Sequence, residues 1–140
     1  MTEVYDTDIL NWSEQQSALL RRLAAGERIN DLIDWPNVIE EIESVGRSEL
    51  KAVQSHIVLA LLHELKAQAW PHSLAVEHWQ DEALSHRVNA GQHFEPEMRP
   101  RIDIATLYQD ALRAMPKTID GKPPLPFPRE CPFSLDDLLS

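Results

Sequence analysis

Apolar residues recur at spacings of three and four along most of this chain, a period that predicts helices rather than strands. Ile9, Trp12, Gln16, Leu19 and Leu23 form the first stripe. It predicts a helix over about residues 8–25, capped by Thr7 or Asp8 and closed by Gly26, which tolerates a left-handed backbone. The second pattern is the strongest. Asp34 suits an N-cap, Pro36 sits in the first turn where its missing amide costs nothing, and Pro71 stops the run. A helix over about 35–70 is predicted, with Val38, Ile39, Ile42, Val45, Val53, Ile57, Ala60, Leu61 and Leu65 on its core side. Gly46 lies inside this run, yet the apolar phase continues across it. One helix of about 50 Å is therefore preferred over a break with Ser48 capping a new start.

A third helix is expected over about 73–91, opened by Ser73, closed by Gly91, and carrying Ala75, Val76, Trp79, Ala83 and Ala90 inward. A fourth, over about 100–115, presents Ile104, Leu107, Tyr108, Ala111 and Leu112 and ends at Pro116. The remaining segment, 116–140, changes character. Pro123, Pro124, Pro126, Pro128 and Pro132 forbid a helix and favour extended geometry. Leu125, Phe127 and Phe133 between them suit a strap laid on the helices, with a ligand for a proline-recognising domain as the alternative. Ser134 can cap a last short helix holding Leu135, Leu138 and Leu139. The expected fold class is all-α: a helical bundle with one long central helix, an extended proline-rich C-terminal strap and a short terminal helix, in a single domain over 1–140.

Charge narrows the partners. The net charge of −10 repels phosphate backbones, so nucleic acid is not an expected partner. Arg21, Arg22 and Arg28, and Arg99 and Arg101, are interrupted groups that read as solvated helix faces. Cys131 is the lone cysteine, which leaves no intrachain disulfide and no Cys-rich zinc site. The start Met1-Thr2-Glu3-Val4 does not resemble a signal peptide, and no apolar run is long enough to span a bilayer. A cytoplasmic protein with no membrane partner is expected.

Candidate chemistry lies on the second and third helices. Ile42, Glu49, His56 and His63 are each seven residues apart and fall on one line, about 10 Å between successive members. This line begins apolar and turns ionisable beside a seam that stays apolar at Val45, Val53 and Ala60. Ionisable groups near a buried seam are costly unless paired, and such exceptions are where function collects. On the third helix His78, Glu82 and His86 recur every four residues and share a face, with His93 on the same side if the helix extends. Imidazole and carboxylate groups from two facing helices could together bind a divalent metal. His56 and His63 are too far apart along the axis to share one ion. The plainer alternative is a polar seam of inter-helix hydrogen bonds; acid–base catalysis is a third. Glu40, Glu41 and Glu43 form an acidic face in which Glu43 can pair with Arg47 at i+4. Phosphate-binding glycine loops and nucleophile elbows are absent, and no neighbour activates Cys131.

Several segments resemble one bacterial family, called domain of unknown function twenty-nine. These are Tyr5-Asp6-Thr7-Asp8 with Trp12, the stretch Ile39-Glu40-Glu41-Ile42-Glu43-Ser44-Val45-Gly46-Arg47-Ser48-Glu49, and Leu61-Leu62-His63-Glu64-Leu65-Lys66. Trp79 with Arg87, and Phe127-Pro128-Arg129-Glu130-Cys131-Pro132-Phe133 followed by Leu138-Leu139, complete the match. The resemblance implies a small α-helical bacterial protein and no activity. It draws attention to Glu40, Glu43, Arg47 and His63, and to a close helix contact at Gly46. Taken together, the leading expectation is a non-enzymatic interaction or regulatory module with a protein partner or a second copy of itself, and no cofactor. The alternative is a metal-binding bundle built from Glu49, His56, His63, His78, Glu82 and His86.

Overall fold

The computed structural model describes residues 2–140, with side chains from Val4 onward. Six α-helices follow one another: α1 (Thr2–Thr7), α2 (Ile9–Ala24), α3 (Trp35–Ala69), α4 (Val76–His93), α5 (Ile104–Ala114) and α6 (Leu135–Leu139). Single 3₁₀ segments occupy Asn30–Leu32 and Pro96–Arg101. Among the described residues no strand forms; one isolated bridge joins Ile119 and Lys122. Among the described residues no helix is long and apolar enough to cross a membrane. Residue contacts divide the chain into two compact units, 1–47 and 48–140, which share α3.

In the first unit α1 packs on α2. The short α1 was not expected, because the stripe starting at Ile9 carries no trace of it. Asp8 separates the two helices and accepts from the Asn11 amide at 3.0 Å, capping α2. Gly26 takes a left-handed φ of +99° just beyond the helix end. The core is Trp12, Ile33 and Val38, with Val4, Tyr5, Leu19, Leu20 and Leu23 around it. Its centre is polar. The carboxylate of buried Asp34 accepts from the Trp12 indole at 3.0 Å and the Asn37 amide at 2.8 Å, while the Asp34 backbone N–H donates to Gln16 at 2.8 Å. The Asn37 bond, helped by Trp12, holds the Asp34 carboxyl below its ordinary range against the opposing effect of burial. Tyr5 donates to Glu41 at 2.6 Å, which pushes its phenol up to about 12.

One part of the expected core stripe is outside. Val38 is buried, but Ile39, Ile42 and Val45 are 51%, 67% and 66% exposed. The core reading of these three is overturned: α1 and α2 cover α3 at Val38 and Glu41, and their cover does not reach these side chains. Helix α3 runs unbroken through Gly46, and a Cβ there would meet nothing within 4 Å. The close contact that the glycine suggested does not occur within the chain.

In the second unit Val53, Ile57, Leu61 and Leu65 of α3 meet Ala90 of α4, Leu107, Tyr108 and Ala111 of α5, and Leu138 of α6. The turn after Pro71 delays α4: Ser73 accepts from the Ala75 amide at 3.1 Å instead of capping a helix, and α4 begins at Val76. Gly91 does not close α4, which runs on to His93. Its reason is packing, since a Cβ there would lie 2.9 Å from the Leu139 carbonyl oxygen of α6. The proline-rich segment is fastened by backbone groups: Leu125 N–H donates to Ala69 at 2.9 Å, the Trp70 indole to Lys122 at 3.0 Å, and the Tyr108 hydroxyl to Pro128 at 2.6 Å. It ends in α6, where Ser134 and Asp137 form a reciprocal capping box. Cys131 is half-buried, and burial pushes its thiol up, away from the reactive thiolate.

Candidate metal centre

The polar line of α3 and the polar face of α4 meet inside the second unit. Leu61 and Leu65 of α3 and Ala90 of α4 belong to one buried core, and Ala83 of α4 is fully buried as well. Glu82 and His86 lie one turn apart on α4 and therefore project together. Between them the carboxylate and Nε2 are 3.7 Å apart, too long for a hydrogen bond. His63 joins them from α3. One ligand atom from each of His63, Glu82 and His86 lies within 4.8 Å of the other two, and all three residues are half-buried.

A row of imidazoles extends from this cluster. The rings of His63 and His86 are parallel at 5.8 Å between centroids. The Nδ1 atoms of His86 and His56 are 3.0 Å apart, a hydrogen bond in which one ring donates and the other accepts. His56 in turn lies parallel to His93 at 6.4 Å, and His93 pairs with Glu49 at 3.3 Å on the surface. The row runs from half-buried His63 to exposed Glu49.

The environment disfavours protonation of its inner members. Burial first, then the neighbouring His86 and His93, lowers the pKa of His56. Burial also leads for His63, followed by Lys66 and His86, with Glu82 pulling weakly the other way. A neutral imidazole has a free lone pair, the form that binds metal. The Nδ1 of His63 is buried and has no hydrogen-bond partner among the described residues, a costly condition for a polar atom.

The six candidate ligands therefore separate. His63, Glu82 and His86 come together; His56 stands behind His86; Glu49 pairs with His93 away from the cluster. His78 is exposed and is not among the three that converge. Glu40 and Glu43 lie in the first unit, where Arg47 reaches them at 2.6 and 4.0 Å. The backing role of His56 was not foreseen. Its seven-residue separation from His63 marked it as unable to share an ion, and the structure puts it one ring further back.

A protein-family model described as "Domain of unknown function DUF29" matches residues 4–140. The crystal structure at 1.45 Å of an alpha-helical protein of unknown function from Rhodospirillum rubrum superposes with a TM-score of 0.70. It is 28% identical, and the match covers 96% of this chain and 88% of that one. No curated protein matches. The all-α class and the family resemblance read from the residues are both borne out.

Proposed function

The chain belongs to the family of the domain of unknown function DUF29, and because that membership carries no activity, we propose its function from the geometry: it binds a divalent first-row transition ion through His63, Glu82 and His86. The observation that carries this reading is the convergence of two imidazoles and one carboxylate, from two helices, within 4.8 Å. Ligand atoms about 2.0–2.1 Å from a tetrahedral ion stand about 3.4 Å from one another. The Glu82–His86 separation of 3.7 Å already approaches that, and a His63 ring nitrogen lies within 4.8 Å of both. Two His and one carboxylate are a ligand set that zinc and its neighbours accept, with remaining positions left to water or a small ligand.

His56 supports the set from behind. If Nε2 of His86 held the metal, its Nδ1 would carry the proton and donate the hydrogen bond to Nδ1 of His56, 3.0 Å away. Such a partner fixes the tautomer and the ring plane of the ligand. The unpaired Nδ1 of His63 gives a further reason for an ion or a proton to enter.

Calorimetric titration of untagged, chelator-stripped protein with Zn²⁺ tests it. One equivalent should bind. His63→Ala, Glu82→Gln and His86→Ala should each abolish or greatly weaken binding, and His56→Ala should weaken it by about 10–100-fold, as expected of an outer partner. Glu49→Gln and His78→Ala should leave it unchanged. Wild-type protein that takes up no stoichiometric zinc contradicts the proposal, as does equal loss in all variants.

A further inference from the structure

We infer that the exposed face of α3 between Trp35 and Arg47 docks a second copy of this chain, with the two α3 helices antiparallel. Trp35, Ile39, Ile42 and Gly46 follow at spacings of four, three and four, the pattern of a helix-pairing seam. Val45 lies beside it. These apolar side chains share one helix face in the first unit and remain open to solvent. Single exposed apolar residues are ordinary, but a contiguous stripe on one helix marks a binding surface.

Gly46 sharpens the argument. In a helix interior it costs about 1 kcal/mol relative to Ala, and no neighbour within the chain requires it, since a Cβ would enter open space. On a pairing seam it leaves a hole. In an antiparallel pair centred near Ser44, Ile42 of each copy lies opposite Gly46 of the other, so a large side chain meets the gap.

Charge selects the partner and the direction. One edge of the stripe carries Glu40 and Glu43, followed by Arg47. All three are about half exposed. A parallel pair sets this edge against the opposite edge of the other copy, which carries Glu41 and no cation for the acids to meet. An antiparallel pair sets Arg47 of each copy across from Glu40 and Glu43 of the other. The chain carries a net charge of −10, so indiscriminate self-association is disfavoured, and this local complementarity sets the register.

Light scattering after size exclusion, across a concentration series and with chelator present, tests the inference independently of the metal. The wild-type chain should show twice its own mass at the upper concentrations. Ile42→Glu should give a monomer with unchanged helical circular dichroism. Arg47→Glu should weaken self-association by about ten-fold or more, as should the pair Glu40→Lys with Glu43→Lys. Mixing these two opposite variants should restore dimers that neither forms alone. A wild-type monomer at every concentration overturns the inference, and so does a dimer that Ile42→Glu leaves intact. Failure of the mixed variants to pair overturns the antiparallel arrangement.

Discussion

At the scale of single residues, the proposed metal site rests on imidazoles whose protonation is disfavoured by burial. His56 and His63 take up a proton less readily in the folded protein than an ordinary histidine near 6.5 does. In the window below about 6.5 the unfolded chain therefore binds more protons than the folded one, and stability rises with pH there. Metal-free protein should accordingly lose stability in urea as the pH is lowered from 7 to 5, and His63→Gln, which cannot titrate, should show a shallower loss. An unchanged pH dependence in that variant would count against the buried, neutral His63. The candidate residues themselves were legible: seven-residue spacing singled out Glu49, His56 and His63, and four-residue spacing singled out His78, Glu82 and His86. What spacing along one helix cannot specify is which rung of α3 faces which rung of α4. That register depends on the turn at 71–75 and on the core that Ala90 shares with Ile57 and Leu61 of α3. It selects His63 over Glu49, and it turns His56 from a candidate ligand into the hydrogen-bond partner of one.

At the scale of elements, the glycines show how far local signals reach. Gly26 is legible because its role is local, a left-handed residue past a helix end. Gly91 looks the same in the sequence, but its role is tertiary: α6, almost fifty residues later, brings the Leu139 carbonyl to its face. A Gly91→Ala substitution should therefore destabilise the protein by about 1–3 kcal/mol in urea unfolding, the usual effect of overpacking. Helix propensity alone predicts the reverse, a gain of up to about 1 kcal/mol, so the sign of the change decides between the two roles. The apolar period of α3 carries a similar lesson. It marks Ile39, Ile42 and Val45 as one face but does not specify whether the covering surface belongs to the same chain. Here α1 and α2 take the flank through Val38, and the stripe remains for another surface.

At the scale of the whole molecule, the all-helical class follows from the spacing of apolar residues together with few glycines and the clustered prolines. Those prolines mark the strap, whose anchoring through backbone carbonyls at Ala69, Lys122 and Pro128 leaves no signature in side-chain pattern. The acidic composition argues against a polyanionic partner but does not locate a site; the proposed site rests on the juxtaposition of α3 and α4. The central claim is that this juxtaposition forms one metal centre with two imidazoles and one carboxylate. X-ray absorption at the zinc edge of protein loaded with one equivalent tests it most directly. The account predicts two imidazole shells and an oxygen ligand at about 2.0–2.1 Å, with one imidazole shell lost in His63→Ala and in His86→Ala. A spectrum of zinc surrounded by water oxygens alone, unchanged by either substitution, would contradict it.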